Sequence, residues 1–400
     1  MGEWEKKTIG DLCETVSITY RCNDPEVILI NTSDILEGKI LNHKKVKNEG
    51  LKGQFKKTFQ KNDILYSEIR PANKRFAFVD FDDTSLYIAS TKLMVLRPKS
   101  EIVYPQFLFA ILKDGSMLEK LQHLAETRSG TFPQITFSSE LAPMLVMLPD
   151  LDTQKKIVSV LNFIEDKIEL NNTINKNLEL QAQAVFKSWF VDFEPFGGFQ
   201  PSDWQLGTVD DLAKEVICGK TPSTKKEEYY GEGVPFITIP DMHNCIYSLN
   251  TARSLSLLGS ESQAKKTLPY NSVCVSCIGT AGLVTLVPVP SQTNQQINSI
   301  IPKDEISPYY VYLLMQTMSE LINKLGQSGS TIVNLNKAQF GKIAVLIPTP
   351  KVMTAFTKLT EPIFQLILTN QQENNHLVNL RDILLPKLMS GEIDVSKIDI

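Results

Sequence analysis

The chain is written twice, and that repetition constrains its fold more than any other feature. At an offset near 200, Trp4-Glu-Lys-Lys-Thr-Ile-Gly-Asp-Leu12 answers Trp204-Gln-Leu-Gly-Thr-Val-Asp-Asp-Leu212. Residues 27–34 answer 234–241, each a run of β-formers ending in aspartate, and residues 62–69 answer 271–278. Pro105 and Pro308 each stand at the first turn of an expected helix, where a missing N–H costs nothing. Ser129-Gly130-Thr131 and Ser328-Gly329-Ser330 are turns, and residues 145–149 and 345–348 read as strands that stop at proline. Insertions between these anchors are small. A chain of 400 residues also exceeds one ordinary core, so each copy is expected to fold as its own globule.

Each globule of about 150 residues is followed by a long helical segment. Ile157, Leu161, Ile164, Ile168, Asn171, Asn175, Leu178, Ala182, Val185 and Trp189 are spaced 4,3,4,3 without a slip. An offset of 199 carries them to Phe356, Thr360, Ile363, Ile367, Asn370, Asn374, Leu377, Arg381, Leu384 and Leu388. Sustained 3–4 spacing is a coiled-coil seam, and a seam must meet another seam. Antiparallel pairing of the two copies sets Asn171 against Asn374 and Asn175 against Asn370. Buried asparagines would fix register, because a slipped register leaves their amides without partners; the alternative is that these polar positions mark where the helices splay into solvent. Two departures mark the second helix: Pro362 predicts a kink or restart, and Arg381 sits on the seam.

The expected architecture is therefore α+β: a tandem duplication of a mixed α/β globule plus a long helix, the two helices pairing as an antiparallel coiled coil. The expected divisions are a first globule at 1–150, its helix at 151–195, a second globule at 196–349, and the second helix with its tail at 350–400.

Net charge is −4, but it is unevenly spread. Residues 39–75 hold eleven Lys/Arg against three acids, a local +8, leaving −12 for the remainder. Polyanions are held by local patches, so a mildly acidic total is compatible with DNA. The alternative is a solvated lysine-rich face. No apolar run approaches the roughly 18 residues of a membrane span, and no apolar signal region follows the first charges. Six cysteines in 400 residues are too sparse for a disulfide framework and favour a reducing cytoplasm.

Catalytic motifs are missing. Gly219-Lys220-Thr221 lacks the first glycine of a phosphate-binding loop, there is no Pro-Pro pair for an amino-methyltransferase motif, and no Gly-x-Gly run suggests a cofactor loop. Asp63…Glu68-Ile-Arg70 resembles a nuclease Asp…Glu-x-Lys site with arginine in place of lysine; a mixed-charge surface hairpin is the plainer alternative. Cys274-Val-Ser-Cys277 lies in a β-like run, where residues three apart point to opposite faces, so buried inert thiols are expected and no metal site is.

The duplicated globule-plus-helix plan resembles the specificity (S) subunit of Type I restriction-modification systems. Residues 148–158, with Gln154, resemble that family's wording at the first helix start, residues 180–193 its end, and residues 380–393 the C-terminus. Gly219-Lys-Thr-Pro-Ser223 and Thr293-Asn-Gln-Gln-Ile297 are similar to segments common in its recognition domains. The second copy departs at residues 349–353, which lack the glutamine corresponding to Gln154.

The resemblance implies a non-catalytic subunit in which each globule is a target recognition domain reading half of a bipartite, asymmetric sequence in double-stranded DNA. The helices would be a spacer and a docking surface for two modification (methyltransferase) subunits, with restriction (endonuclease/translocase) subunits joining in turn. S-adenosylmethionine, ATP and Mg would then sit on those partners and none on this chain. About 33 residues of helix at ~1.5 Å rise span about 50 Å, one to one and a half turns of DNA. Phosphate contacts are expected from Lys44, Lys45, Lys47, Lys52, Lys56, Lys57 and Lys61, and from Arg70, Lys74 and Arg75. Arg128, Thr131, Lys220 and Thr331, in or beside turns and loops, are further DNA-contact candidates. The competing functions are a coiled-coil scaffold that never touches DNA and a self-sufficient nuclease; a steep salt dependence of duplex binding, or metal-dependent cleavage by the isolated chain, would separate them.

Overall fold

The computed structural model describes residues 4–49, 53–128, 132–327 and 333–395. Its chain falls into two compact units, Met1–Asp166 with Val378–Ile400, and Lys167–Leu377.

Each unit opens alike. Glu5–Thr8 pairs antiparallel with Leu145–Leu148, and Gln205–Thr208 with Ala344–Ile347. Both opening strands end in a threonine that caps a short helix through a reciprocal box, Thr8 with Asp11 and Thr208 with Asp211. Those hydrogen bonds, from the threonine side chain and backbone, hold both aspartate carboxyls below their ordinary range.

Each unit then builds one antiparallel four-stranded sheet in the same order. In the first the order is Cys13–Val16, Leu93–Pro98, Ile64–Ser67, Phe76–Phe78; in the second, Ala213–Cys218, Ile297–Pro302, Val273–Ser276, Val284–Leu286. The central strands are mostly apolar because both faces are covered, with Ser67, Ser276, Asn298 and Ser299 as buried polar exceptions. Ile64, Tyr66, Met94 and Leu96 face one core with helix Pro105–Lys113, while Leu65, Leu93 and Val95 face another with Ile28, Ile30 and Ala89. The same alternation separates the paired cysteines. Cys274 belongs to one core and Cys277 to the other, and burial pushes both thiols up to about 12.

A second sheet lies across this inner core. In the first unit its order is Lys45–Lys47, Glu26–Ile30, Tyr87–Ser90, Phe55–Lys57; in the second it is Ser254–Leu255, Tyr230–Ile237, Gln292–Thr293. Each contains one parallel pair, Glu26–Ile30 with Tyr87–Ser90 and Tyr230–Ile237 with Gln292–Thr293.

The long helices run Leu151–Phe190 and Pro350–Met389, 40 residues each, longer than the seam alone required. The second runs through Pro362 as one helix, without the restart that the proline could have caused, and through Pro386 as well. Both prolines are exposed, as are Lys358 and Asp382, whose carbonyls lose their helical donor and can be hydrated instead. Arg381 is tolerated on the seam by turning to the adjacent Asp382, at 2.8 and 2.9 Å. The second helix begins without a counterpart of Gln154: Pro350 occupies its first turn and Met353, buried, takes the glutamine's place.

The compact units divide differently from the expected globule-then-helix boundaries. The first unit's core takes Ile157 and Leu161 from one helix and Leu385, Leu388 and Val395 from the chain's end. The second unit's core joins Ala182, Phe186 and Phe190 to Met353, Phe356, Phe364 and Ile367. Each globule is thus closed by the head of one helix and the tail of the other. Gly391 at φ +76 packs so tightly on Trp4 that a Cβ there would lie 2.8 Å from the indole.

Candidate nucleic-acid interface

The basic cluster, contiguous in sequence, is divided by strand order. Lys45 and Lys47 are exposed on one edge strand of the first unit's outer sheet, and Lys56 on the opposite edge, with Glu26–Ile30 and Tyr87–Ser90 between them. At about 4.8 Å per strand the two edges stand roughly 14 Å apart. Lys44 is exposed beside the first edge.

Several candidate cations are committed within the protein. Lys57 is half-buried and its ammonium donates to the carbonyls of Thr91 at 3.2 Å and Leu93 at 2.7 Å; burial lowers its pKa from the ordinary lysine value. Arg75 donates to the carbonyls of Ser33 and Ile35 at 3.2 and 3.1 Å. Lys61 pairs with Asp82 at 3.0 Å, Lys74 with Glu37 at 3.2 Å and Arg128 with Glu140 at 3.1 Å. Asp63 is 1% exposed and grips Arg97 through both oxygens, at 2.8 and 2.7 Å, while also accepting the Gln60 N–H. Its carboxylate is consumed by the fold, and no cluster of metal-ligating side chains occurs among the described residues. Lys52, Thr131 and Thr331 lie outside the described residues.

A different feature emerges where the antiparallel sheets end, and both units build it with the same hydrogen bonds. In the first unit the Glu68 N–H donates to the Lys92 carbonyl at 3.1 Å, Ile135 N–H to Glu68 at 2.8 Å and Arg70 N–H to Pro133 at 3.1 Å, with Ile69 bridged to Gln134. In the second, Cys277 N–H donates to Gln296 at 2.8 Å, Leu335 N–H to Cys277 at 2.9 Å and Gly279 N–H to Val333 at 3.0 Å, with Ile278 bridged to Asn334. This strand-end rim therefore carries Arg70, Lys92 and Gln134 in one unit and Gly279, Gln296 and Asn334 in the other. The frame is shared and its polar side chains differ.

In the second unit the Gly219-Lys220-Thr221 loop closes onto the same rim. Lys220 N–H donates to Thr293 at 2.9 Å and Thr221 Oγ1 to Gln295 Oε1 at 2.6 Å. Gly219 is dictated by space, since a Cβ would fall 2.1 Å from the Asn294 carbonyl oxygen. Lys220 and Gln295 are exposed at the top of the loop.

The helix amides meet inside the second unit. Asn171 Nδ2 donates to Asn374 Oδ1 at 2.9 Å and to Glu373 Oε2 at 2.7 Å; Asn370 Nδ2 donates to Asn175 Oδ1 at 2.9 Å. Asn171, joined by Lys167 at 3.1 Å, holds the Glu373 carboxyl below its ordinary range. Sequence reasoning missed the amides that fasten this globule to its helix. Gln371 accepts from Tyr247 N–H at 3.1 Å, Asn375 and Asn250 exchange bonds at 2.7 and 3.0 Å, and Gln365 donates to Tyr270 at 2.9 Å. On a helix such residues look like an ordinary solvated face. In the first unit Gln154, fully buried, accepts from Tyr104 N–H at 2.7 Å and donates to the Pro149 carbonyl at 2.8 Å.

The profile of the Type I restriction modification DNA specificity domain matches residues 1–180 and again 201–379. The chain belongs to the Type I restriction-modification specificity-subunit family. It is 39% identical to the Type I restriction enzyme HindI specificity subunit of Haemophilus influenzae, over 98% of this chain and all of that one. It is 26% identical to the MjaIX specificity subunit of Methanocaldococcus jannaschii, over 75% of this chain and 72% of that one. The fold is similar to that of the Type I restriction-modification S subunit from M. genitalium, with a TM-score of 0.59 at 18% identity over 97% and 96% of the two chains. This specificity subunit is accordingly a non-catalytic member of its system. No helix among the described residues is long and apolar enough to cross a membrane.

Proposed function

We propose that each unit reads one half of a bipartite, asymmetric sequence in double-stranded DNA, and that the paired helices set the gap between the halves. The observation that carries this reading is the doubled strand-end rim: one hydrogen-bonded frame, repeated, with Arg70, Lys92 and Gln134 in one copy and Gly279, Gln296 and Asn334 in the other. Identical frames with unequal side chains suit two readers of unequal half-sites, because base edges are distinguished by donor and acceptor pattern. Exposed Lys44, Lys45, Lys47 and Lys56 would supply phosphate contacts that position the duplex without reading it.

The chain would work inside a larger assembly. Two modification subunits would dock on the helices and restriction subunits would join them, with S-adenosylmethionine, ATP and magnesium bound by those partners. The test is to map methylated bases in the genome of cells carrying this chain with its partners. Two short specified blocks separated by a constant unspecified gap are expected; a single continuous motif would overturn the two-reader reading.

A further inference from the structure

Arg70 occupies a backbone position that arginine disfavours. Its φ is +45°, in the left-handed region, and it precedes a proline, which narrows its choices further. The equivalent residue in the second unit, placed by the same bond to residue 133 or 333, is Gly279 at φ +79°. Glycine adopts this conformation freely, so one copy of the repeat carries a side chain exactly where the other shows that none is needed for folding.

The turn is held firmly enough to impose that conformation. Pro71 is buried, Ala72 N–H donates to Gln122 Oε1 at 3.1 Å, and Arg70 N–H donates to the Pro133 carbonyl. The guanidinium itself is exposed and makes no ion pair or side-chain hydrogen bond among the described residues. Its neighbours differ in this respect: Lys74 is paired with Glu37, and Arg75 is anchored to two carbonyls.

Backbone strain persists where the surroundings over-determine it, and it concentrates at functional positions. A phosphate contact would not explain the contrast between the copies, since both readers face the same backbone. A base contact would, since the half-sites differ. We infer that Arg70 is a specificity-determining residue, an exposed guanidinium carried on a fixed turn, that reads a base edge, guanine by its O6 and N7 acceptors, in the half-site of the first unit. This rests on the DNA-reading function proposed above and adds the residue that does the reading.

The experiment selects binding sites from a pool of random-sequence duplexes, using the full chain copurified with its modification subunits, for wild type, R70G and R70K. Wild type should enrich a bipartite motif. R70G should lose preference at one or two positions in one half-site, keep the other half-site, and bind the wild-type motif about tenfold to a hundredfold more weakly. Its melting midpoint should be unchanged or raised by about 2 °C, because glycine relieves the strain. R70K keeps the charge but loses the fork, and should fail to restore the lost preference. An unchanged motif in R70G, a uniform weakening without change of motif, or full rescue by R70K would each overturn the role of Arg70. Failure of wild type to enrich any motif would instead overturn the DNA-reading function.

Discussion

Asn171 and Asn374 lie 203 residues apart in the chain, yet the amide of one donates to the carbonyl oxygen of the other at 2.9 Å, and Asn370 answers Asn175 at the same distance. Polar residues on an apolar seam cost stability and gain alignment, because only one register satisfies all of their amides.

Truncating one partner should therefore be worse than replacing the set. Asn175→Ala should destabilise by about 1–3 kcal/mol, since the Asn370 amide is left buried without its acceptor. Changing Asn171, Asn175, Asn370 and Asn374 together to leucine should be neutral or stabilising, but should allow slipped or oligomeric species. Chemical denaturation with light scattering measures both effects.

The two helices should act as a ruler. Inserting seven residues at equivalent points in each preserves the seam and adds about 10.5 Å, roughly three base pairs. Methylated motifs read before and after insertion should keep both half-sites and show a gap widened by up to three positions. Altered half-sites with an unchanged gap would show that the helices do not set the spacing.

Charge reversal should sort the lysines by their surroundings. Lys44→Glu, Lys45→Glu, Lys47→Glu and Lys56→Glu together should weaken duplex binding across all sequences and shallow its salt dependence, each lost phosphate contact reducing the log–log slope by about 0.9. Lys57→Met should act chiefly on folding, because that ammonium serves the Thr91 and Leu93 carbonyls. Binding titrations at several salt concentrations, beside melting curves, distinguish the two behaviours.

Damage at the C-terminus should appear in the N-terminal globule. Leu388→Ala removes a side chain 2% exposed in the first unit's core and should cost about 2–4 kcal/mol. Hydrogen exchange should show lost protection in helix Pro105–Lys113 and little change in helix Pro308–Thr317.

Thiol chemistry should follow burial. Cys22 is exposed, whereas Cys13, Cys274 and Cys277 are buried with thiols pushed up to about 12. Alkylation at pH 8 should modify Cys22 rapidly and leave those three intact until denaturant is added, as peptide mass spectrometry would register.

Much of this protein is written in local pattern. Repetition set the doubled architecture, runs of β-formers announced strands, and the 3–4 spacing placed both helices and even paired Asn171 with Asn374. Those features depend on which face a residue occupies, and periodicity encodes faces directly. Tertiary structure decided what depends on neighbours distant in sequence. Strand order separated Lys45 from Lys56 on opposite edges, two carbonyls claimed Lys57, and Arg97 claimed Asp63. Leu385 and Leu388 joined a core begun at Ile9, and Pro362 was absorbed on a helix face where it and Lys358, one turn earlier, are exposed. The repeat already sets Arg70 opposite Gly279, one step beyond residues 62–69 and 271–278, but the left-handed backbone angle they share and the bond to residue 133 or 333 are tertiary facts. A sequence shows an arginine there; only the folded chain shows that it stands where glycine would be at ease.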